Sequence, residues 1–247
     1  MAAIACVTAR LVPGPEVERK FVATREVVRD FLSSVARWVS PVVYDRARPV
    51  AYTRTTYLDS DAMDYLRSDT GRDSVRVRLR VREYAAAFGP LDVPVLTGRC
   101  FLELKESVGT VRRKVRFSAP PRAIGRLVAT SARAGHLPDG LPPIIANRLR
   151  RDRPAPRVAT WYRRASFVDA PSRARITVDD SIQICKPSWP GSAGVPPAPR
   201  DALATLGCVI VELKHSGDPP EWLARAAAAL GRATELSKFV LAMGALG

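Results

Sequence analysis

Alternation of apolar and charged residues runs through much of this 247-residue chain. Its densest instance is DSVRVRLRVREY, Asp73 to Tyr84, where Val75, Val77, Leu79 and Val81 alternate with Arg76, Arg78, Arg80 and Arg82. Successive strand residues point to opposite faces, so this stretch predicts a strand with one aliphatic face and one guanidinium face. The same period aligns Arg99, Glu103 and Lys105 opposite Cys100, Leu102 and Leu104, and it aligns Arg112, Lys114 and Arg116. It also sets Arg173, Arg175, Thr177 and Asp179 opposite Ala174, Ile176 and Val178, and Glu212 and Lys214 opposite Val211 and Leu213. Glu16, Glu18 and Lys20 repeat it near the start, broken by Arg19.

Between these segments the period changes. Val27, Val28, Phe31, Leu32, Val35 and Trp38 follow helical spacing behind a Thr24 N-cap, with Trp38 and Trp161 assigned to the core. YTRTTYLDS reads as a strand, followed by a short helix at 61–68. GRCFLELKES and TVRRKVRFS form a hairpin around Val108-Gly109. Residues 120–150 read as helix interrupted by GHLPDGLPP; RVATWYRRASFVD, RARITVDD and SIQICK read as three strands; GCVIVELKH is the last strand, and 219–243 is a helical end. Residues 1–14 form a flexible tail and 187–199 a Pro/Gly/Ser loop. No linker divides the strands, so residues 1–247 are expected to form one domain of α+β class.

A half-exposed sheet explains any one of these strands. Six of them, dense in arginine and poor in Thr, Ser and Gln, favour a barrel with a charged interior and an apolar outer face covered by helices. Buried charge without compensation costs several kcal/mol per ion, so such an interior calls for a polyanion.

Composition agrees. Hydrophobic residues make up 47% of the chain, enough for a core, and Lys+Arg total 39 against 24 Asp+Glu, a formal net charge of +15. That excess points to nucleic acid, an acidic membrane surface or a phosphate-rich ligand. Nucleic acid is the weakest of the three, because aromatics rarely interleave with the charge. Glu16, Glu18, Glu103, Asp179 and Glu212 suit a hard divalent cation that bridges phosphates. No CxxC occurs among Cys6, Cys100, Cys185 and Cys208, and His136 and His215 are the only histidines, which argues against a zinc site and a disulfide framework. No secretory signal or long apolar run is legible, so a cytoplasmic protein is expected. The basic run NRLRRDRPAPR, 147–157, reads as a solvated face, or as a guide for a polyanion or an acidic membrane.

The order ERKF, RVREY, LELK, RRKVRF, WYRRASF, RITVDD, VELK and LSKF, from about Glu16 to Phe239, resembles the VTC domain. This is the polyphosphate-polymerase domain of vacuolar transporter chaperone proteins and their bacterial relatives. It belongs with the CYTH phosphatases to the triphosphate tunnel metalloenzymes. The resemblance implies an eight-stranded antiparallel tunnel barrel flanked by helices. It implies catalytic roles for Lys20, Arg80, Arg82, Lys105 and Glu212. Phosphate contacts would come from Arg76, Arg78, Tyr84, Arg112, Lys114, Arg116, Tyr162, Arg164, Arg175, Lys214 and Lys238. Arg112 and Lys114 exchange the types usual in the family's basic pair, which keeps charge and changes geometry. Mn²⁺ or Mg²⁺ would be held chiefly by Glu212, with Glu18, Glu103 and Asp179.

The implied reaction transfers the γ-phosphate of ATP to a growing inorganic polyphosphate chain. The phosphate itself is the nucleophile, in keeping with the lack of a Ser/His or Cys/His arrangement. A CYTH-like tri- or polyphosphate hydrolase and a non-catalytic polyphosphate-binding module are the alternatives. The family analogy further suggests a membrane-embedded partner chain at the inner face of the membrane.

Overall fold

A computed structural model describes residues 16–71, 75–109, 111–131, 137–187, 189 and 194–246. The expected tail, Cys6, His136 and part of the 187–199 loop lie outside the described residues. The elements in chain order are β1 (Glu16–Ala23), α1 (Arg25–Val35), β2 (Ser40–Pro41), β3 (Val50–Asp59) and α2 (Asp64–Thr70). Then come β4 (Val75–Ala87), β5 (Val95–Val108), β6 (Val111–Ser118), α3 (Pro121–Ser131), α4 (Pro143–Asp152) and β7 (Ala155–Val168). The chain continues through β8 (Arg175–Cys185), β9 (Ala204–Thr205), β10 (Val209–Ser216), α5 (Glu221–Ala227) and α6 (Lys238–Gly244).

Eight strands run antiparallel in the order β1-β10-β8-β7-β3-β4-β5-β6, with β2 added to β7 and β9 to β8. The sheet curls into a half-barrel. Among the described residues its end strands β1 and β6 share no ladder, yet the curl brings Glu18 of β1 within 4.0 Å of Lys105 on β5.

The alternating pattern explains the curl's two faces. Val77, Leu79 and Val81 of β4 and Leu102 and Leu104 of β5 pack outward in a core with Ile124, Leu127 and Val128 of α3 and Ile145 and Leu149 of α4. Phe21, Ile176, Val178, Val211 and Leu213 form a second outer core with Val28, Phe31 and Val35 of α1 and Leu223 of α5. The N-cap reading of α1 holds: the Thr24 hydroxyl accepts a hydrogen bond from Val27 N at 3.4 Å.

Four readings need correction. RARITVDD and SIQICK are one strand, β8, because Ser181 turns the backbone in place (φ 53°) where the register against β7 shifts between Trp161 and Arg163. The 219–243 helix is two helices, α5 and α6, separated by an irregular segment through 231–237. Trp38 is not core: α1 ends at Val35, and Trp38 stacks on Trp222 at 6.1 Å with 44% of its surface exposed. Trp161 is core. Nor is the interior of the curl polar throughout: Tyr162, Ile182 and Ile210 pack there with Leu206 and Leu236.

Candidate active site

Direct cross-strand partners share a face, and the register builds the charged interior in rows. Arg80 of β4 faces Glu103 of β5, which faces Arg116 of β6. One step along, Arg78, Lys105 and Lys114 align; a further step aligns Arg76, Ser107 and Arg112. On the other wall Lys20 aligns with Glu212 and Thr177, and Glu18 with Lys214 and Arg175. Asp179 faces Arg164 across β7–β8.

Each carboxylate has a different setting. Glu103 is fully buried and ringed by Arg116 (2.5 Å), Arg80 (2.9 Å), Lys114 (3.4 Å) and Arg82 (3.9 Å). Burial alone would raise its carboxyl; Arg80, Arg82, Lys114 and Arg116 instead hold it well below the usual range. Asp179 is also fully buried, gripped by Arg164 Nε and Nη2, each at 2.6 Å, and by Lys238 Nζ at 2.6 Å. Glu212 is less tightly held, with Lys238 at 3.5 Å and Lys214 at 3.8 Å. Its carboxyl is pushed down against the effect of burial by Lys238, Arg164, Lys214 and Lys20. Glu18 meets Lys20 at 3.4 Å, Lys214 at 3.6 Å and Lys105 at 4.0 Å.

These contacts divide the carboxylates into two groups. Asp179 is closed off by short bonds from Arg164 and Lys238, whereas Glu103 accepts a hydrogen bond from Arg80 Nε at 2.9 Å and meets its other cations as ion pairs, its buried Oε1 lacking a hydrogen-bond partner. Glu18 and Glu212 are neighbours through Lys214 and meet only longer ion pairs. Beside Glu212, its strand partner Thr177 has a buried hydroxyl with no hydrogen-bond partner. Carboxylate and hydroxyl oxygens are the donors a hard divalent cation takes, so Glu18, Glu212 and Thr177 fit one. Among the described residues, no three acidic, His or Cys side chains converge as a ready-made metal cluster.

Further unpartnered polar atoms lie in the same interior: Arg82 Nε and the hydroxyls of Thr55 and Thr160, which are cross-strand partners. Arg82 also faces Thr55 and donates to the Tyr162 hydroxyl at 3.4 Å. Arg164 and Lys238 lie over the Tyr162 ring at 5.2 and 5.4 Å. Lys238, the first residue of α6, thereby ties the C-terminal helix to Asp179, Glu212 and Tyr162.

The cations are unequally paired. Arg78 bonds Asp69 of α2 at 2.7 Å, whereas Arg76 and Arg112 make no ion pair among the described residues. Glu18, Lys20, Arg76, Arg78, Lys105 and Arg112 line one interior cavity of about 60 Å³, rimmed by Thr234 and Glu235. Burial pushes the Lys105 ammonium down to about 8, partly offset by Glu18. Lys114 is pushed to about 7 by burial despite Glu103; its side chain is 42% exposed, so water screens part of that effect and Lys105 is the better-defined group. Tyr84 stands apart from these rows, edge-on to Phe101 at 5.8 Å with Arg99 over its ring.

Sequence reasoning missed several members. Asp69 lies on a helix outside the alternating strands. Arg54 and Glu83 form a fully buried pair at 2.7 Å on the apolar face, with Arg54 over Trp161. Parity placed Glu83 on the aliphatic side of β4, and an acid there is a signal for such a pair. Phe101, under Arg116 at 4.6 Å, is an interior aromatic on the Glu103 strand. His215 is buried within β10, with Nδ1 2.8 Å from Gly217 O in the turn that follows.

A curled antiparallel sheet that gathers cations and a few acids inside, with helices over its apolar outside, is the architecture of the triphosphate tunnel superfamily. The chain belongs to the VTC-domain family, whose model matches residues 16–246. This is a tunnel-type, phosphate-related enzyme family that typically uses divalent metals. Among solved structures, a "putative adenylate cyclase" from Bacillus halodurans is similar at TM-score 0.51 and 12% identity, over 92% of this chain and 96% of that one. At that identity the likeness concerns the fold alone. The PH1819 protein from Pyrococcus horikoshii aligns at TM-score 0.44, 13% identity, and 92% and 96% coverage. No curated protein matches the chain. No helix among the described residues is long and apolar enough to cross a membrane.

Proposed function

We propose that this protein is a metal-dependent polyphosphate polymerase that transfers the γ-phosphate of ATP to inorganic polyphosphate within the half-barrel. One observation carries the reading: cations crowd an interior whose few acids are mostly engaged, beside buried polar atoms that lack partners. An anionic ligand rich in oxygen acceptors relieves both.

In this reading Arg76, Arg78, Lys105 and Arg112 bind phosphates at the cavity, with Lys20 and Lys214 on the opposite wall. Arg80, Arg82 and Arg116 are shared between Glu103 and the phosphates, which holds their guanidinium groups in place before ligand arrives. Phosphoryl transfer depends mainly on positioning and charge neutralisation, so fixed cations supply much of what the step needs. Glu212 and Glu18 would hold Mn²⁺ or Mg²⁺, which would supply neutralisation of phosphate charge. Lys238 orients Glu212 and keeps the Asp179–Arg164 pair against Tyr162. The terminal phosphate of the polyphosphate chain attacks the γ-phosphorus of ATP and ADP leaves as the β–γ anhydride bond breaks, so no side-chain nucleophile is required.

Incubation with ATP and Mn²⁺, followed by sizing of the phosphate products, tests this. Long chains are expected. Orthophosphate alone would replace the polymerase reading with a hydrolase, and intact ATP would leave a binding module.

A further inference from the structure

A concavity lies outside the half-barrel. It measures about 720 Å³ and is lined by Ile144, Asn147, Arg148, Arg150 and Arg151 of α4 with Glu106 of β5. Glu106 and Ser107 are neighbours on β5, and the alternation sends them to opposite faces. Ser107 lines the interior cavity beside its partner Arg112; Glu106 lines the outer concavity beside its partner Arg113. The two spaces therefore back onto one ladder, a single residue apart. That ladder ends at β6, the last strand of the sheet, whose residues 111–114 are exposed. A neighbouring strand is only about 5 Å away, so the step from inner to outer face over this edge is short.

Charge follows the same route. Arg112 points inward and Arg113 outward on the edge strand. Arg148 is held by Glu106 at 2.8 Å and Asp152 at 3.4 Å, and Arg151 by Asp152 at 2.6 Å. Arg113 and Arg150 make no ion pair among the described residues. Arg150 and Arg151 sit in the last turn of α4, where cations are favourable for the helix itself. Helix capping does not account for the concavity, whose Glu106 is the cross-strand partner of Arg113.

We propose that the α4 concavity is a second binding site for the same polyanion, and that Arg113 joins it to the interior over the free edge of β6. Long polyphosphate then occupies both faces of the β5–β6 ladder, and tripolyphosphate only the inner one. This rests on the reading of the interior as a phosphate site, and the ligand lengths separate the two claims.

The test compares binding of tripolyphosphate and long-chain inorganic polyphosphate to the whole protein over a salt series. The wild type should bind the long chain more tightly, with a steeper salt dependence. Replacing Arg113, Arg150 and Arg151 by Ala should weaken long-chain binding about ten-fold and flatten its salt slope by about two, as expected when several cation–phosphate contacts are lost. Tripolyphosphate affinity should stay within about two-fold, since ~0.4 kcal/mol is the scale of an indirect surface effect. Equal affinity and equal salt slope for the two ligands in wild-type protein would overturn the second site while leaving the interior reading intact. Equal losses for both ligands in the variant would overturn it too. Failure of tripolyphosphate to bind the wild type would instead defeat the interior reading.

Discussion

Glu103 and Glu212 look alike in sequence, each an acid two residues before a lysine on an alternating strand, and their surroundings separate them. Glu103 neutralises four cations from inside the protein wall. Among the described residues Glu212 has no ion pair shorter than 3.5 Å, and it faces an unpartnered hydroxyl. Glu103→Gln leaves Arg80, Arg82, Lys114 and Arg116 without their shared counter-ion, and breaking a buried charge network in this way costs about 3–5 kcal/mol. Urea unfolding should show that loss. Glu212→Gln should fold nearly normally and bind ATP, yet lose metal-dependent turnover by orders of magnitude. Activity within a few-fold of wild type would remove Glu212 from the metal assignment and leave Glu18 as the candidate. The same contacts set Arg80 and Arg82 against Glu103. Period-two spacing places them on the charged face, but nothing in it reveals that Glu103 lies between them and Arg116.

At the level of elements, alternation was a faithful guide wherever a strand carries one charged and one aliphatic face. β4, β5, β6 and β10 are of this kind. It failed where a strand changes face. Ser181 adopts a left-handed conformation inside β8, and Asp180 Oδ1 accepts a hydrogen bond from Ser181 N at 2.5 Å. That local kink resets the parity, so one strand read as two. β2 and β9, two residues each, are too short to show any period. Register also brings Lys105 directly opposite Lys114, an unfavourable pair of like charges on a half-buried face. Burial lowers Lys105 to about 8, so without ligand it loses its proton as pH rises through that value. Below that pH it is charged and favours phosphate. Tripolyphosphate affinity should therefore fall as pH rises from about 7 to 9, with proton uptake on binding, because the anion favours the ammonium form. Calorimetry in buffers of different ionisation enthalpy reads that uptake directly. Affinity independent of pH across this range would assign phosphate binding to the arginines alone.

For the whole molecule, the opposing faces of the sheet carry the organisation. Helices α1 and α5 cover one flank of the outer surface, and α3 and α4 cover the other. The inside carries the charged rows beside one apolar cluster of Tyr162, Ile182 and Ile210. The net charge of +15 was legible at once as a sign of a polyanionic partner. The rows that concentrate it, and the carboxylates that hold part of it in place, required the register. If excess positive charge is stored inside the half-barrel for phosphate, then a short polyphosphate must stabilise the folded protein by mass action. The most direct measurement is thermal unfolding at low salt with and without tripolyphosphate. At ligand about a hundred times Kd the folded state gains ~2.7 kcal/mol. For a domain of this size each kcal/mol raises Tm by roughly 2–4 °C. A rise of several degrees, shrinking as salt is added, is the predicted result. An unchanged melting temperature at millimolar tripolyphosphate would contradict the account.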